Sequence, residues 1–188
     1  SFLTKPVIHQ SLMDALLKAL GIEVFQEIGK DFRRKEPNEA ITHLRGSHIL
    51  LVEDNELNQE LAVEFLQGSG LKVTVVNNGL EALGILQTGT FDGILMDVQM
   101  RVMDGFTATK RIRDQEIFTN LPIIAMTANA MTGDRDSVLA AGMNDHITKP
   151  INVHEMFNTM AKWIHPSETA GNNEVFVKFA EISDSNLT

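Results

Sequence analysis
The sequence predicts an α/β three-layer sandwich built on a parallel sheet. From His48 onward, five short strand-like runs alternate with five amphipathic helical segments. The runs at 49–52, 94–96 and 122–126 are apolar throughout, as expected of strands covered on both faces. Each is joined to the next through a helix, the connection that parallel strands need and that makes right-handed crossovers.

The elements follow in order. Residues 12–20 carry Leu12, Ala15, Leu16, Ala19 and Leu20 at helical spacing, and Gly21 is a stop signal. Residues 22–46 are mixed and read as a linker, with one short helix around 24–28. Ile49-Leu50-Leu51-Val52 is the first strand, closed by Glu53-Asp54. Asn55 caps a helix to Gln67, with Leu57, Leu61, Phe65 and Leu66 facing inward, and Gly68 and Gly70 end it. Residues 72–76 form a strand, Asn77-Asn78-Gly79 a turn, and residues 80–87 a helix. In the stretch 91–100 the run Ile94-Leu95-Met96 ends abruptly in Asp97. A helix over 105–118, a strand over 122–126, a helix over 134–141 stopped by Gly142, a strand over 145–148 and a helix over 153–164 complete the alternation. The tail after Pro166 is polar, with one alternating stretch at 175–179.

Composition narrows the function classes. The chain of 188 residues is 43% hydrophobic and 22% charged, which suits one globular domain with extensions. Its net charge of −9 argues against a nucleic-acid surface or direct contact with an anionic membrane. With no cysteine there is neither a disulfide frame nor thiolate chemistry, which fits a cytoplasmic location. No apolar stretch approaches the ~18 residues of a membrane span.

Four strand ends deliver chemistry to one sheet edge, where open parallel sheets bind ligands. They bring Glu53 and Asp54, Asp97, Thr127 and Lys149. Gathered carboxylates raise one another's pKa, and a divalent cation relieves that conflict. Mg²⁺ takes one or two carboxylates, a carbonyl and waters; Asp54, Asp97 and the backbone carbonyl of Gln99 form such a set. Phosphoryl transfer needs positive charge around three oxygens, and the cation, the Lys149 ammonium and the Thr127 hydroxyl supply three contacts. Asp97 would be the nucleophile, forming an acyl phosphate. Pro150 disfavours helical backbone at Lys149 and holds it at the strand end. Each residue alone has a plainer reading: an acidic pair or a threonine as a helix cap, an aspartate as a turn residue, a lysine as a solvated charge. Order and spacing together carry the argument.

That combination resembles the response-regulator receiver family. The matching pieces are Leu50-Leu51-Val52-Glu53-Asp54-Asn55, Leu95 to Met100 with Met103-Asp104-Gly105, Ile123 to Ala130, and Asp145 to Ile151. Val52-Glu53-Asp54-Asn55, Thr127-Ala128-Asn129-Ala130 and Met143-Asn144-Asp145-His146 resemble receivers carried by hybrid sensor histidine kinases more than free-standing ones. The resemblance implies a (βα)₅ flavodoxin-like sandwich with strand order 2-1-3-4-5. It implies Mg²⁺-dependent transfer of phosphate from a phosphohistidine of a histidine kinase to Asp97, and passage onward to a histidine phosphotransfer domain. It makes Glu53 and Asp54 the metal-binding pair, Thr127 the switch hydroxyl, Lys149 the phosphate contact and His146 the switch ring, usually Tyr or Phe. It assigns Gln99 and Asn129 to tuning hydrolysis. The parent chain would be a histidine kinase, cytoplasmic in this part and membrane-anchored elsewhere.

Arg101 departs from the pattern, which has Pro after Met100. Arg101 frees the backbone that Pro would restrict and brings a cation toward the acidic site. The expectation is slower or less Mg²⁺-dependent phosphorylation than in an Arg101→Pro variant.

A repeat extends the resemblance. Phe2-Leu3-Thr4-Lys5-Pro6-Val7 matches His146-Ile147-Thr148-Lys149-Pro150-Ile151 at an offset of 149 − 5 = 144. Residues 1–21 then read as the last strand and helix of a preceding receiver-like domain, 22–46 as a linker, 47–166 as the receiver, and 167–188 as a tail toward a downstream module. The apolar face of residues 9–20 is expected to pack on the receiver or to form a dimer with a second copy.

Other readings stay open from sequence. A receiver-like module that never takes phosphate would serve as a docking surface. A phosphatase with an aspartyl nucleophile commonly needs an acid where Gln99 stands. A nucleotide or flavin binder would need a glycine-rich loop after the first strand, and none is there.

Overall fold
The computed structural model describes residues 39–128 and 132–166. The parts of the sequence reading that concern residues 1–38, Asn129 and residues 167–188 lie outside them.

Five strands form one parallel sheet: β1 (His48–Val52), β2 (Lys72–Val76), β3 (Gly93–Asp97), β4 (Ile123–Thr127) and β5 (Asp145–Thr148). Their order is β2-β1-β3-β4-β5, as the resemblance implied. Among the described residues six helices accompany them: α1 (Glu39–Leu44), α2 (Glu56–Gly68), α3 (Gly79–Leu86), α4 (Gly105–Arg113), α5 (Thr132–Ala140) and α6 (Val153–Trp163). None is long and apolar enough to cross a membrane.

Period-two alternation along buried strands splits the core into two layers. Leu50, Val52, Ile94, Met96, Ile123 and Ala125 face α3, α4 and α5. Ile49, Leu51, Leu95, Ile124, Met126 and Ile147 face α1, α2 and α6. The apolar runs are thus continuous because both faces are covered.

Short polar side chains start the helices. Asn55, Asn78, Asp104 and Asn152 each accept a backbone N–H from the first turn that follows. At α3 the cap is reciprocal: Glu81 reaches back to accept the Asn77 N–H at 2.8 Å. This bond is the main reason that the Glu81 carboxyl sits below its ordinary value. The stops at Gly70 and Gly142 adopt φ of 87° and 95°, which glycine tolerates without a Cβ clash.

Several sequence expectations are corrected. The single helix over 105–118 is α4 followed by a 3₁₀ turn, Glu116–Phe118. The Arg113 guanidinium donates to the carbonyls of Phe118 (2.7 Å) and Gly142 (2.8 Å) and to Asn144 Oδ1 (3.1 Å), which folds the chain back just after it. Leu57 does not face inward; it is 55% exposed, because the first turn of α2 lies beyond the sheet edge, and Ala62 and Leu66 carry the buried face. Strand β4 runs one residue further than expected and includes Thr127.

The end of the expected linker is also structured. Helix α1 packs against α6, burying Leu44 completely, and His43 Nε2 lies 3.2 Å from both the Ile164 carbonyl and His165 Nδ1. Six residues are too few for helical periodicity to stand out, and only tertiary packing makes the element. Leu44→Ala should therefore lower unfolding free energy by about 2–4 kcal/mol in urea titrations. A change near zero would mean that α1 is not part of the cooperative unit.

Candidate functional site
The site lies at the C-terminal ends of β1 and β3, where strand order reverses. Burial grades the three carboxylates: side-chain exposure is 2% for Glu53, 7% for Asp97 and 22% for Asp54. One oxygen from each lies within 4.8 Å of the others.

Asp97 ends β3, and both of its oxygens are held. Oδ1 accepts the Gln99 N–H at 3.1 Å, and Oδ2 accepts from Lys149 Nζ at 2.8 Å. Burial pushes this carboxyl above its ordinary value, against the Lys149 and Gln99 hydrogen bonds. Lys149 Nζ also donates to Glu53 Oε2 at 2.7 Å, so one ammonium bridges two buried acids. Burial alone would lower the Lys149 pKa; the hydrogen bonds to Asp97 and Glu53 outweigh it and raise the value. The ammonium is thus kept charged where positive charge is needed.

Glu53 is fixed from several sides. Its Oε1 accepts from the Asn55 N–H and from Asn58 Nδ2, both at 3.2 Å, and its carbonyl accepts from Gln59 Nε2 at 2.6 Å. Asn58 and Gln59 were missed as site residues by the sequence reading. The only available signal was two amides on the first turn after an acidic pair, which looks like ordinary helix surface.

Thr127 ends β4, is buried, and stands one residue beyond Met126, the cross-strand partner of Asp97. Its carbonyl accepts the Lys149 N–H at 2.7 Å, which ties the lysine to the strand end. His146 lies on β5 opposite Ala125, half-buried, with Nδ1 3.7 Å from Asp145 Oδ1. Gln99 is exposed, and its backbone N–H is its contact with Asp97.

The loop from β3 to α4 closes over this edge. Its end is tight: a Cβ at Gly105 would collide with the Asp97 carbonyl oxygen, and the Gly105 N–H donates to the Val98 carbonyl at 3.1 Å. Its tip is open. The Arg101 backbone N–H and Nε both reach Asp54 Oδ2, at 3.2 and 3.4 Å, and Val102 follows at φ 69°. The extra cation expected from the sequence is therefore in contact with the most exposed acid.

Three convergent carboxylates are hard oxygen donors, and they fit Mg²⁺ better than a softer metal, since no histidine or cysteine joins the cluster. Residues 49–161 match the family model described as response regulator receiver domain. The chain belongs to this family.

Relatives agree with that assignment. The sensor histidine kinase GacS of Pseudomonas protegens is 41% identical over 133 residues, which is 69% of this chain and 14% of that kinase. The chain thus spans only a small part of the kinases that it matches. The polar-differentiation response regulator DivK of Brucella anthropi is 36% identical over 62% of this chain and 94% of its own. Among solved structures, the receiver domain of the sensor histidine kinase PA1611 from Pseudomonas aeruginosa has 44% identity and a TM-score of 0.59. The match covers 63% of this chain and 97% of that one, whose active-site cleft coordinates a magnesium ion. A second match, with 32% identity and a TM-score of 0.60, covers 64% of this chain and 90% of the other. It is the co-crystal structure of the Saccharomyces cerevisiae histidine phosphotransfer protein Ypd1 with the receiver domain of its downstream response regulator Ssk1. The receiver fold and its kinship with hybrid-kinase receivers are thereby shown; of the residues singled out from sequence, Glu53, Asp54, Asp97 and Lys149 form one contiguous cluster.

Proposed function
We propose that this receiver accepts phosphate from a phosphohistidine onto Asp97 and passes it on to a histidine phosphotransfer domain, within a cytoplasmic part of a hybrid sensor kinase. The observation that carries this reading is the Lys149 ammonium held between Glu53 and Asp97, beside the carboxylate of Asp54.

Glu53, Asp54 and Asp97, with the Gln99 carbonyl, would hold Mg²⁺, which would supply positive charge to a phosphoryl oxygen. The protein's own groups do the rest. One Asp97 oxygen forms a bond to phosphorus while the phosphorus–nitrogen bond of the donor breaks. The donor ring, protonated on its other nitrogen, leaves with the electron pair of the broken bond as neutral imidazole. Lys149 faces the charge that develops on a phosphoryl oxygen, and its two acidic partners keep it in place. Thr127, at the end of the adjacent strand, donates its hydroxyl to another oxygen, and His146 on β5 shifts into the space that opens. Onward transfer is the same exchange in reverse, to a histidine nitrogen of the next module. Kinship with GacS supports the hybrid-kinase origin, and the Ypd1–Ssk1 co-crystal supports the class of partner.

The test is reaction with beryllofluoride and Mg²⁺ followed by amide NMR. Saturable shifts at Asp54, Thr127, His146 and Lys149 are expected. No response at saturating Mg²⁺ would leave a docking module that takes no phosphate.

A further inference from the structure
Arg101 stands where the sequence departs from its family, and the structure gives that departure a target. Of the three carboxylates, Asp54 is the one that Lys149 does not touch and the one most open to solvent. Its Oδ2 receives both the backbone N–H and Nε of Arg101. The backbone around Arg101 is held rather than loose: its carbonyl accepts the Met103 N–H at 2.8 Å, and Met103 is buried in the core. The guanidinium itself is 90% exposed, so the loop backbone, not side-chain packing, aims it at Asp54. Without a divalent ion, the three acids are thus already faced by two cations, Lys149 on Glu53 and Asp97, and Arg101 on Asp54.

We propose that Arg101 is a built-in counter-ion of Asp54 that competes with the divalent cation, so that this receiver binds Mg²⁺ more weakly than the same cluster with a neutral residue at position 101. The inference rests on the reading of the carboxylate cluster as a divalent-cation site. An arriving cation meets an Asp54 oxygen already engaged by two donors, and a fixed positive charge beside it. Binding requires the guanidinium to swing away or to be tolerated at close range, and either lowers affinity. The effect is moderate because Arg101 is in water, where ion pairs are worth little.

The experiment is a Mg²⁺ titration of the wild-type chain, Arg101→Ala and Arg101→Lys, read by amide NMR shifts at low ionic strength. Arg101→Ala is expected to bind Mg²⁺ about three- to tenfold more tightly than wild type. Arg101→Lys, which keeps the charge, should stay within about twofold of wild type. The advantage of Arg101→Ala should shrink at about 0.5 M monovalent salt, because screening acts on exposed charges. Thermal melts should be unchanged, since the Arg101 side chain is 90% exposed and surface pairs contribute little to stability. Equal affinity of wild type and Arg101→Ala at low salt overturns the proposal, as does Arg101→Lys binding as tightly as Arg101→Ala. If wild type takes beryllofluoride with Mg²⁺ but shows no arginine effect, only this proposal falls. If no variant binds Mg²⁺, the cation-site reading falls with it.

Discussion

Asp97→Asn abolishes the response to beryllofluoride and all transfer from phosphohistidine or small-molecule phosphodonors, because no other group at the site is the carboxylate that ends β3. On the proposed reading, Lys149 and Thr127 contact what Asp97 binds and take no phosphate themselves. The variant should still fold. Asparagine keeps the shape and can accept the Lys149 N–H, and Lys149 retains Glu53 as a charged partner. Its pH behaviour supplies a second readout. Burial raises the Asp97 pKa above the ordinary 3.8, so the folded chain holds the proton more tightly than the unfolded one. For a carboxyl shifted in this direction, stability rises as pH falls through the raised value and levels off below the ordinary one. The wild-type chain without divalent cation therefore gains this contribution on acidification from neutral, and Asp97→Asn loses it. Urea midpoints compared from neutral to mildly acidic pH check this. A pH profile that is the same in both chains would mean that Asp97 is not the buried acid whose proton matters.

Lys149→Met removes the single ammonium between two buried acids. Glu53 is 1% exposed and would be left with only neutral donors, so the loss is one of both chemistry and stability. Phosphoryl transfer should fall by about 10²-fold or more, as when one preorganised positive contact is lost. Unfolding free energy at neutral pH should fall by about 2–4 kcal/mol, toward the lower part of the range for broken buried pairs, because Lys149 keeps 21% of its side chain exposed. Acidification should recover part of that loss in the variant, since protonating Asp97 removes one unmatched charge. In the wild type the sign at alkaline pH is set by Lys149 itself. Its pKa is raised above 10.5, so its contribution is fully present below 10.5 and disappears as pH rises through the higher folded value. Stability equal to wild type at neutral pH would show that Lys149 is a solvated charge, and the transfer assay would then be expected to be unaffected too.

The fold was legible because its central strands β1, β3 and β4 are buried on both faces and four of its helices begin with an Asn or Asp cap. Those signals are local, and they identified five strands and five helices in the right order. The charged edge was legible for a related reason: a polar residue closing an apolar run must emerge at the strand's end, and Asp97 and Thr127 do so. Arg101 was read as a cation near the acids, but not as the partner of a particular one, and Asn58 and Gln59 were not assigned at all, because two amides on a helix turn look the same whether or not an acid lies opposite. Nor was α1, whose six residues acquire helical form only when Leu44 enters the layer shared with α6. The sequence by itself determined the layers, the strand ends and the polar groups gathered at one sheet edge, since burial and capping are written in residue type and spacing. Only the tertiary structure decided which cation faces which carboxylate: Lys149 from the end of β5 across β4 to Glu53 and Asp97, and Arg101 in the β3–α4 loop to Asp54. Such pairings join residues from 47 to 96 positions apart, and Coulomb attraction depends on their distance in space, not along the chain.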